Sequence, residues 1–341
     1  MKYLTFTLSL LVLPTTGSAH HSRAEFADDV QEIEGEIVEI AWRNPHPVLT
    51  VSATNDAGEE ELWEVESWSS ANALARKGVV GEVFEIGQTV RAAVRLSSRR
   101  PGTLLGESVS LGDGTQAVFR PGLDPVFPGE RVLGSNVEPL VSANESGTSG
   151  SNLGLFRVWS SVDNEGPGEL PLTAAALARL EDFDELVDHP MWNCDPVGMP
   201  VVMDTGSPVE FTDHGNEIHM RLEQNDALRV IRLNSNLDPA NQPLSIMGYS
   251  SGRWEGRTLI VTTRNTNYAF LDDDGNPKSD AMEIDERFTL GADGNSLSWE
   301  ATISDPVYLT DSIVTRRNWE WVPDETIQPY DCLESSSGIE R

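Results

Sequence analysis

Apolar and polar residues alternate with a two-residue period over most of this chain, and turn residues interrupt the alternation at short intervals. That pattern sets one face of an extended strand against a core and the other against water, so it commits the chain to β structure. In the N-terminal third, "VQEIEGEIVEI" puts Ile33, Gly35 and Ile37 on one face, and Trp42 joins that face only after a change of phase. "PVLTVSA" and "ELWEVESW" repeat the period, so three strands follow in close succession. "SWSSANALARKGV" reads as a short helix: Ser69 or Ser70 caps its start, Ala71, Leu74 and Ala75 share a face, and Gly78 ends it. "QTVRAAVRLS" and "GESVSLG" then return to the strand pattern. Three strands, a helix and two strands is the order of the five-stranded OB barrel, so a small OB-like β-barrel is expected over residues 20–114, with an SH3-like barrel or an open sheet as the alternative. The basic residues Arg95, Arg99 and Arg100, followed by Pro101-Gly102, read as a solvated hairpin loop.

Residues 115–168 are rich in Pro, Gly, Ser and Asn, too poor in apolar surface to fold alone. They are expected to form an irregular linker, flexible near residues 142–152, within which "GLFRVWSSV" docks as a strand onto a second, larger domain. "LTAAALARLEDFDELVDH" is the one longer helix: Thr173 caps it, and Ala176, Leu177, Leu180, Phe183 and Leu186 or Val187 recur at helical spacing. From "PVEFTD" to "NWEWVP" seven or eight strand patterns are separated by turns such as "HGN", "DDDGNP" and "GADGN". Residues 169–341 are therefore expected to form a larger antiparallel β-barrel or sandwich with one helix, and the whole protein to be mainly β.

Lys2, the apolar run Leu4 to Leu13, Pro14 and the small residues Gly17-Ser18-Ala19 have the layout of a secretory signal peptide over residues 1–19. The mature chain is expected to begin at His20 and to act in the periplasm or outside the cell, without stable membrane insertion, since no later apolar run approaches about 18 residues. With 55 Asp and Glu against 24 Lys and Arg the net charge is -31, which repels nucleic-acid phosphates and anionic membrane surfaces. Two cysteines, Cys194 and Cys332, lack metal-ligand spacing. In an oxidising compartment they are expected to form one disulfide, worth about 4–5 kcal/mol on the chain-entropy model and stapling the start of the second domain to its end.

Several segments resemble a known family. His20-His21-Ser22 behind the signal peptide, Gly35-Glu36-Ile37, Trp42-Arg43-Asn44-Pro45-His46 and Trp63-Glu64-Val65-Glu66 are similar to the motifs of DUF6152, a family of small exported bacterial proteins of unknown function. The resemblance covers about residues 19–110 and implies export and a domain boundary rather than an activity. The second domain, with "CDPVGMP" and "GRWEGR", is similar to uncharacterised exported β-domains carrying a Gly-Arg-Trp-Glu-Gly motif.

Cleavage before His20 would free an α-amine, of ordinary pKa about 8, one chelate ring from its own imidazole. A second imidazole would complete a T-shaped three-nitrogen site suited to copper, the histidine brace of copper monooxygenases and some periplasmic copper carriers. His46, in a turn stiffened by Pro45 and Pro47, is the candidate partner; His21 is the alternative, although adjacent residues need strain to chelate one ion with both rings. Glu25, Glu64 and Glu66 are candidate carboxylates behind the ligating imidazoles. Zinc or another metal is an alternative, and so is a leader that forms no site, with His46 capping its turn. The expected function is binding of a metal ion, copper first, or of a small ligand. A copper-dependent oxidase or monooxygenase and a structural or interaction module are the alternatives, and the residues name neither a protein partner nor an enzymatic reaction.

The remaining constellations read as structural. His214 and His219 need not face one another, Trp254 is expected to plug one barrel end, and Asp272 to Asp280 form a solvated acidic hairpin without the closing Glu of a calcium loop. Asp285, Glu286 and Arg287 are expected to supply a buried pair inside the second barrel.

Overall fold

Both barrels of this protein contain an odd number of strands, and that parity shapes each of them. The computed structural model describes residues 25–54, 58–120, 124–134, 154–190 and 194–332. Strands β1 (Gln31–Ala41), β2 (Val48–Thr54), β3 (Glu60–Glu66), β4 (Thr89–Leu96) and β5 (Thr103–Ser110) are hydrogen-bonded in the order β3-β2-β1-β4-β5, and β3 closes onto β5. A closed ring of five strands cannot alternate direction throughout, so one neighbouring pair must run parallel. That pair is β3–β5, with Glu64, Val65 and Glu66 opposite Thr103, Leu104 and Leu105. The result is the expected OB-like barrel. β6 (Thr115–Val118) and β7 (Arg131–Leu133) add to the same sheet beyond β5.

The phase change on β1 is a β-bulge. Ile37 pairs with Val51 and Glu39 with Thr50, leaving Val38 as the extra residue and returning Ile40 and Trp42 to the inner face. Trp42 then packs tilted against Phe84 and edge-on against Phe119, with ring centroids 5.5 and 6.4 Å away. At Gly35 a Cβ would lie 2.2 Å from the Ser52 carbonyl oxygen, so only glycine lets β1 cross β2 this closely. α1 (Ala71–Ala75) is capped by the Ser70 hydroxyl, which accepts from Ala73 N, and buries Leu74; Gly78 follows at φ +80. The arginines at the end of β4 and after it depart from the solvated loop expected of them. Arg95 pairs with the buried Glu107, and Arg100 is drawn inward by Glu25 and Glu66.

The second barrel has nine strands: β8 (Val158–Glu165), β9 (Val209–Asp213), β10 (Glu217–Leu222), β11 (Ala227–Leu233), β12 (Tyr249–Glu255), β13 (Thr258–Arg264), β14 (Glu283–Leu290), β15 (Ser296–Ser304) and β16 (Ile313–Glu320). Each pairs with its neighbour in sequence, and β16 closes onto β8. Nine is again odd, and the one parallel pair is β11–β12, reached by a long connection. "GLFRVWSSV" thus contributes β8, a full member of this barrel.

The barrel interior is filled. Glu286 on β14 is buried among apolar neighbours, paired with Arg229 of β11 and accepting from Trp299 Nε1 at 2.9 Å and Thr263 Oγ1 at 3.1 Å. The partner is therefore Arg229 rather than the adjacent Arg287, because period two sends Asp285 and Arg287 outward. Val197, Met199 and the turn Val201–Met203 join the same core, where Arg317 Nε donates to the Met203 carbonyl at 3.0 Å.

The long helix is shorter than expected. α2 (Ala174–Leu180) and α3 (Glu185–Asp188) are separate, because Phe183 leaves the helix to pack on Gly275 and on Phe270, 5.4 Å between ring centroids. Only Ala176 of α2 is buried, so little apolar burial supports a longer helix.

Cys194 and Cys332 form the expected disulfide, their Cα atoms 5.9 Å apart and 138 residues separated in sequence. It fixes a C-terminal strap, residues 322–332, that leaves β16 and runs along the first barrel. Asp331 N donates to Asn44 O at 3.1 Å, Arg43 pairs with Asp331 at 2.8 Å, and Arg76 of the first barrel pairs with Glu325 of the strap at 2.6 Å.

Candidate functional site

The loop between β1 and β2 carries Asn44 and His46, and the end of β3 lies beside it because Val48 pairs with Glu66. His46 Nδ1 lies 2.6 Å from Glu66 Oε1. The other oxygen, Glu66 Oε2, accepts from Arg100 Nη2 at 3.0 Å. Arg100 reaches there from the turn just before β5, because the parallel seam sets the first residues of β5 beside the last residues of β3, Thr103 opposite Glu64 and Leu105 opposite Glu66. Its guanidinium also holds Glu25, with Nε to Oε1 at 2.9 Å and Nη2 to Oε1 at 2.5 Å, while Ser97 Oγ donates to Glu25 Oε2 at 2.8 Å. Burial works against the charge of Arg100, but Glu66 and Glu25 outweigh it and hold the guanidinium above its ordinary pKa. The Arg100 guanidinium also lies 5.5 Å from the ring of Phe26.

Glu25, Arg100, Glu66 and His46 therefore form one continuous hydrogen-bonded chain across positions 75 and 34 residues apart at its two arginine links. Of the residues singled out in the sequence, it unites His46, Glu25 and Glu66. Glu64 is exposed on β3 and makes no contact with them among the described residues. His20 and His21 lie outside the described residues. Among the described residues no three His, Cys, Asp or Glu side chains converge to hold a metal ion.

His46 also stands on the rim of a cleft of about 210 Å³ between the barrels, whose walls include Asn44, Ser69 and Ala73 from the first barrel and Thr205, Glu223 and Tyr330 from the second and its strap. Glu223 is 1 % exposed. Its Oε2 accepts from Asn72 Nδ2 at 2.8 Å and from the Gln328 backbone N–H at 2.9 Å. Burial pushes its pKa up to about 7; the N–H of Gln328 opposes the shift, and the like charge of Glu325 adds to it.

Nothing in the sequence places Arg100 or Glu223 at a site. Arg100 sits in a Pro-Gly turn like any surface arginine, and Glu223 follows a strand like any solvated carboxylate; the one signal was an acidic residue directly after the apolar-ended strand "EIHMRL".

Other expectations change. Trp254 shares the inward phase of β12 with Ser250 and Gly252 and stands opposite the buried Leu259, but it lies near the strand's end and is 42 % exposed. His214 and His219 stack, ring centroids 3.8 Å apart, across the β9–β10 turn. The Asp272–Asp280 loop is folded inward, with Gly275, Asn276, Pro277 and Lys278 buried; Asp272 accepts from Asn276 Nδ2 at 2.7 Å, and burial pushes its pKa up to about 6.

Together these features define a two-barrel β protein, an OB-like module disulfide-strapped to a nine-stranded barrel, with the chemistry of an oxidising, extracytoplasmic compartment. No helix among the described residues is long and apolar enough to cross a membrane. Residues 9–107 match the model of DUF6152, a family of unknown function, and the rest of the chain is unassigned. No curated protein matches the chain.

Proposed function

We propose that this is a periplasmic or secreted metal-binding protein, whose first barrel takes copper between the mature N-terminal His20 and His46. The observation that carries the reading is the 2.6 Å contact between His46 Nδ1 and Glu66 Oε1. A ligating histidine usually gives its second ring nitrogen to a carboxylate, which fixes the ring and raises its basicity, and Glu66 stands in that position.

Glu25 supports the same reading from the other side. Its bonds to Arg100 tie the N-terminal segment to the guanidinium that also holds Glu66. Five residues separate Glu25 from His20 and span at most about 17 Å when extended, so the amine and imidazole of His20 are within reach of His46. Two carboxylates share one guanidinium, which leaves the cluster a net negative charge that favours a cation.

The test is copper titration of protein exported with its own signal peptide, with the N-terminus read by mass spectrometry and Cu(II) followed by electron paramagnetic resonance. The expected result is a chain beginning at His20 that binds one copper ion, with nitrogen hyperfine structure that changes in His46→Ala. A chain beginning elsewhere, or a spectrum unaltered in His46→Ala, overturns the proposal.

A further inference from the structure

The cleft between the barrels offers an occupant no free charge. Glu223 and Asn44 meet one another: the Asn44 side chain hydrogen-bonds the carboxylate, and Glu223 Oε1 and both atoms of the Asn44 amide are sealed from solvent. His46, on the rim, is engaged by Glu66. The third ionisable side chain on the wall, Tyr330, has its pKa raised by burial and keeps its proton. What remains for a ligand is neutral.

Those neutral groups come from both barrels and from the strap. Ser69 of the first barrel and Ser207 of the second line the cleft half-buried, and among the described residues neither hydroxyl bonds to another group or is sealed from solvent. Gln224 Nε2 donates to the Tyr330 hydroxyl at 3.1 Å and to Asn225 Oδ1 at 3.3 Å, which leaves Gln224 Oε1 to accept. The Tyr330 hydroxyl, having accepted from Gln224, has its own proton to give. The rings of Tyr330 and Pro45 add apolar surface to the same walls.

We infer that the cleft between the barrels binds a neutral polyhydroxylated ring, a single monosaccharide unit, whose hydroxyls meet Ser69, Ser207 and the Gln224–Tyr330 pair. A sugar hydroxyl both donates and accepts, and so answers a serine hydroxyl, an amide oxygen and a phenol alike. Its C–H face matches the apolar rings, the combination of apolar wall and few polar groups that small-molecule sites use. A charged ligand would give up its hydration for walls with no free counter-charge, a cost that bonds to hydroxyls do not recover. An anion is repelled further by the net charge of -31. The cleft volume of about 210 Å³ sets the size: a cavity of about 150 Å³ takes benzene, so this one takes one substituted six-membered ring and not two. The site uses no metal, so it is independent of the copper reading.

The experiment is an NMR and calorimetric titration of the full mature protein, in the presence of a metal chelator, with D-glucose, D-galactose and D-mannose, each beside its 2-amino and its uronic-acid form. The expected result is saturable binding of at least one neutral sugar with a Kd below about 10 mM, at least about fivefold tighter than either of its charged forms. Amide shifts should centre on Ala73, Gly206 and Gln224, which line the cleft. Ser207→Ala should weaken binding about 2- to 10-fold, the loss of one hydrogen bond. Ala73→Leu, which fills the cleft from α1, should abolish it. No saturation by any of the three neutral sugars below about 10 mM, or tighter binding of the charged forms, overturns the inference without reference to any variant. So does full sugar binding by a folded Ala73→Leu protein. Because the chelator removes metal, failure here leaves the copper reading standing, and failure of copper binding leaves this one standing.

Discussion

Glu66 divides its carboxylate between two partners: Oε1 faces His46 Nδ1 at 2.6 Å, and Oε2 faces Arg100 Nη2 at 3.0 Å. The arginine holds the carboxylate in place, and the carboxylate holds the imidazole. Replacing Glu66 by Gln keeps the shape but removes the charge behind the ring. Copper affinity is expected to fall about 10- to 100-fold in Glu66→Gln, while Glu64→Gln leaves it unchanged; competition titration against a chelator of known affinity measures both.

The stability of the protein should fall as pH rises toward and through neutrality. Glu223 has a folded-state pKa pushed up to about 7 from an ordinary 4.5, and Asp272 is pushed up to about 6 from 3.8, both chiefly by burial. Between the unfolded and folded values the native state keeps a proton that the unfolded chain has released, so each unit of pH destabilises the fold. For Glu223 alone the loss across the window amounts to about 3 kcal/mol, complete above pH of about 7. Urea midpoints at pH 5 and pH 8 should show the decline, and Glu223→Gln should remove the Glu223 share and leave that of Asp272.

Breaking the buried pair of the second barrel should cost more than removing it. Arg229→Met leaves Glu286 buried with its charge uncompensated, at an expected cost of about 3–5 kcal/mol. Arg229→Met combined with Glu286→Leu removes both charges and should recover most of that loss. Denaturant unfolding of the single and double variants, read as a cycle, decides it.

Reduction of the disulfide should release the strap as well as lower stability. Cys194→Ser with Cys332→Ser is expected to lose about 4–5 kcal/mol on the chain-entropy model. Because residues 322–332 bridge the barrels through Glu325 and Asp331, limited proteolysis should then cut within this strap, which the oxidised protein protects.

Gly35 tests the barrel closure. Its missing Cβ leaves room for the Ser52 carbonyl, which a methyl group would meet at 2.2 Å. Gly35→Ala should therefore destabilise the first barrel by about 1–3 kcal/mol, seen as a lowered Tm, whereas Gly58→Ala, with open space around it, should be limited to the cost of its positive φ.

The sequence by itself determined the strands, their inward faces, the capped helix after β3, the bulge seen as a phase change before Trp42, and the pairing of the only two cysteines. These are local properties: period two decides which face of a strand is apolar, a serine before an apolar turn decides where a helix starts, and two cysteines admit one bridge. Tertiary structure alone decided which partner each outward or inward polar group meets. Arg100 pairs with Glu25 and Glu66 because a five-stranded ring must close through a parallel seam. Glu286 meets Arg229 because period two turns Arg287 away, and Glu223 meets Asn72 and Gln328 because the strap lays one barrel against the other. Such contacts join positions 34 to 151 residues apart, and no local pattern encodes the distance between them, since it is the closure of the barrels and their docking that brings these charges together.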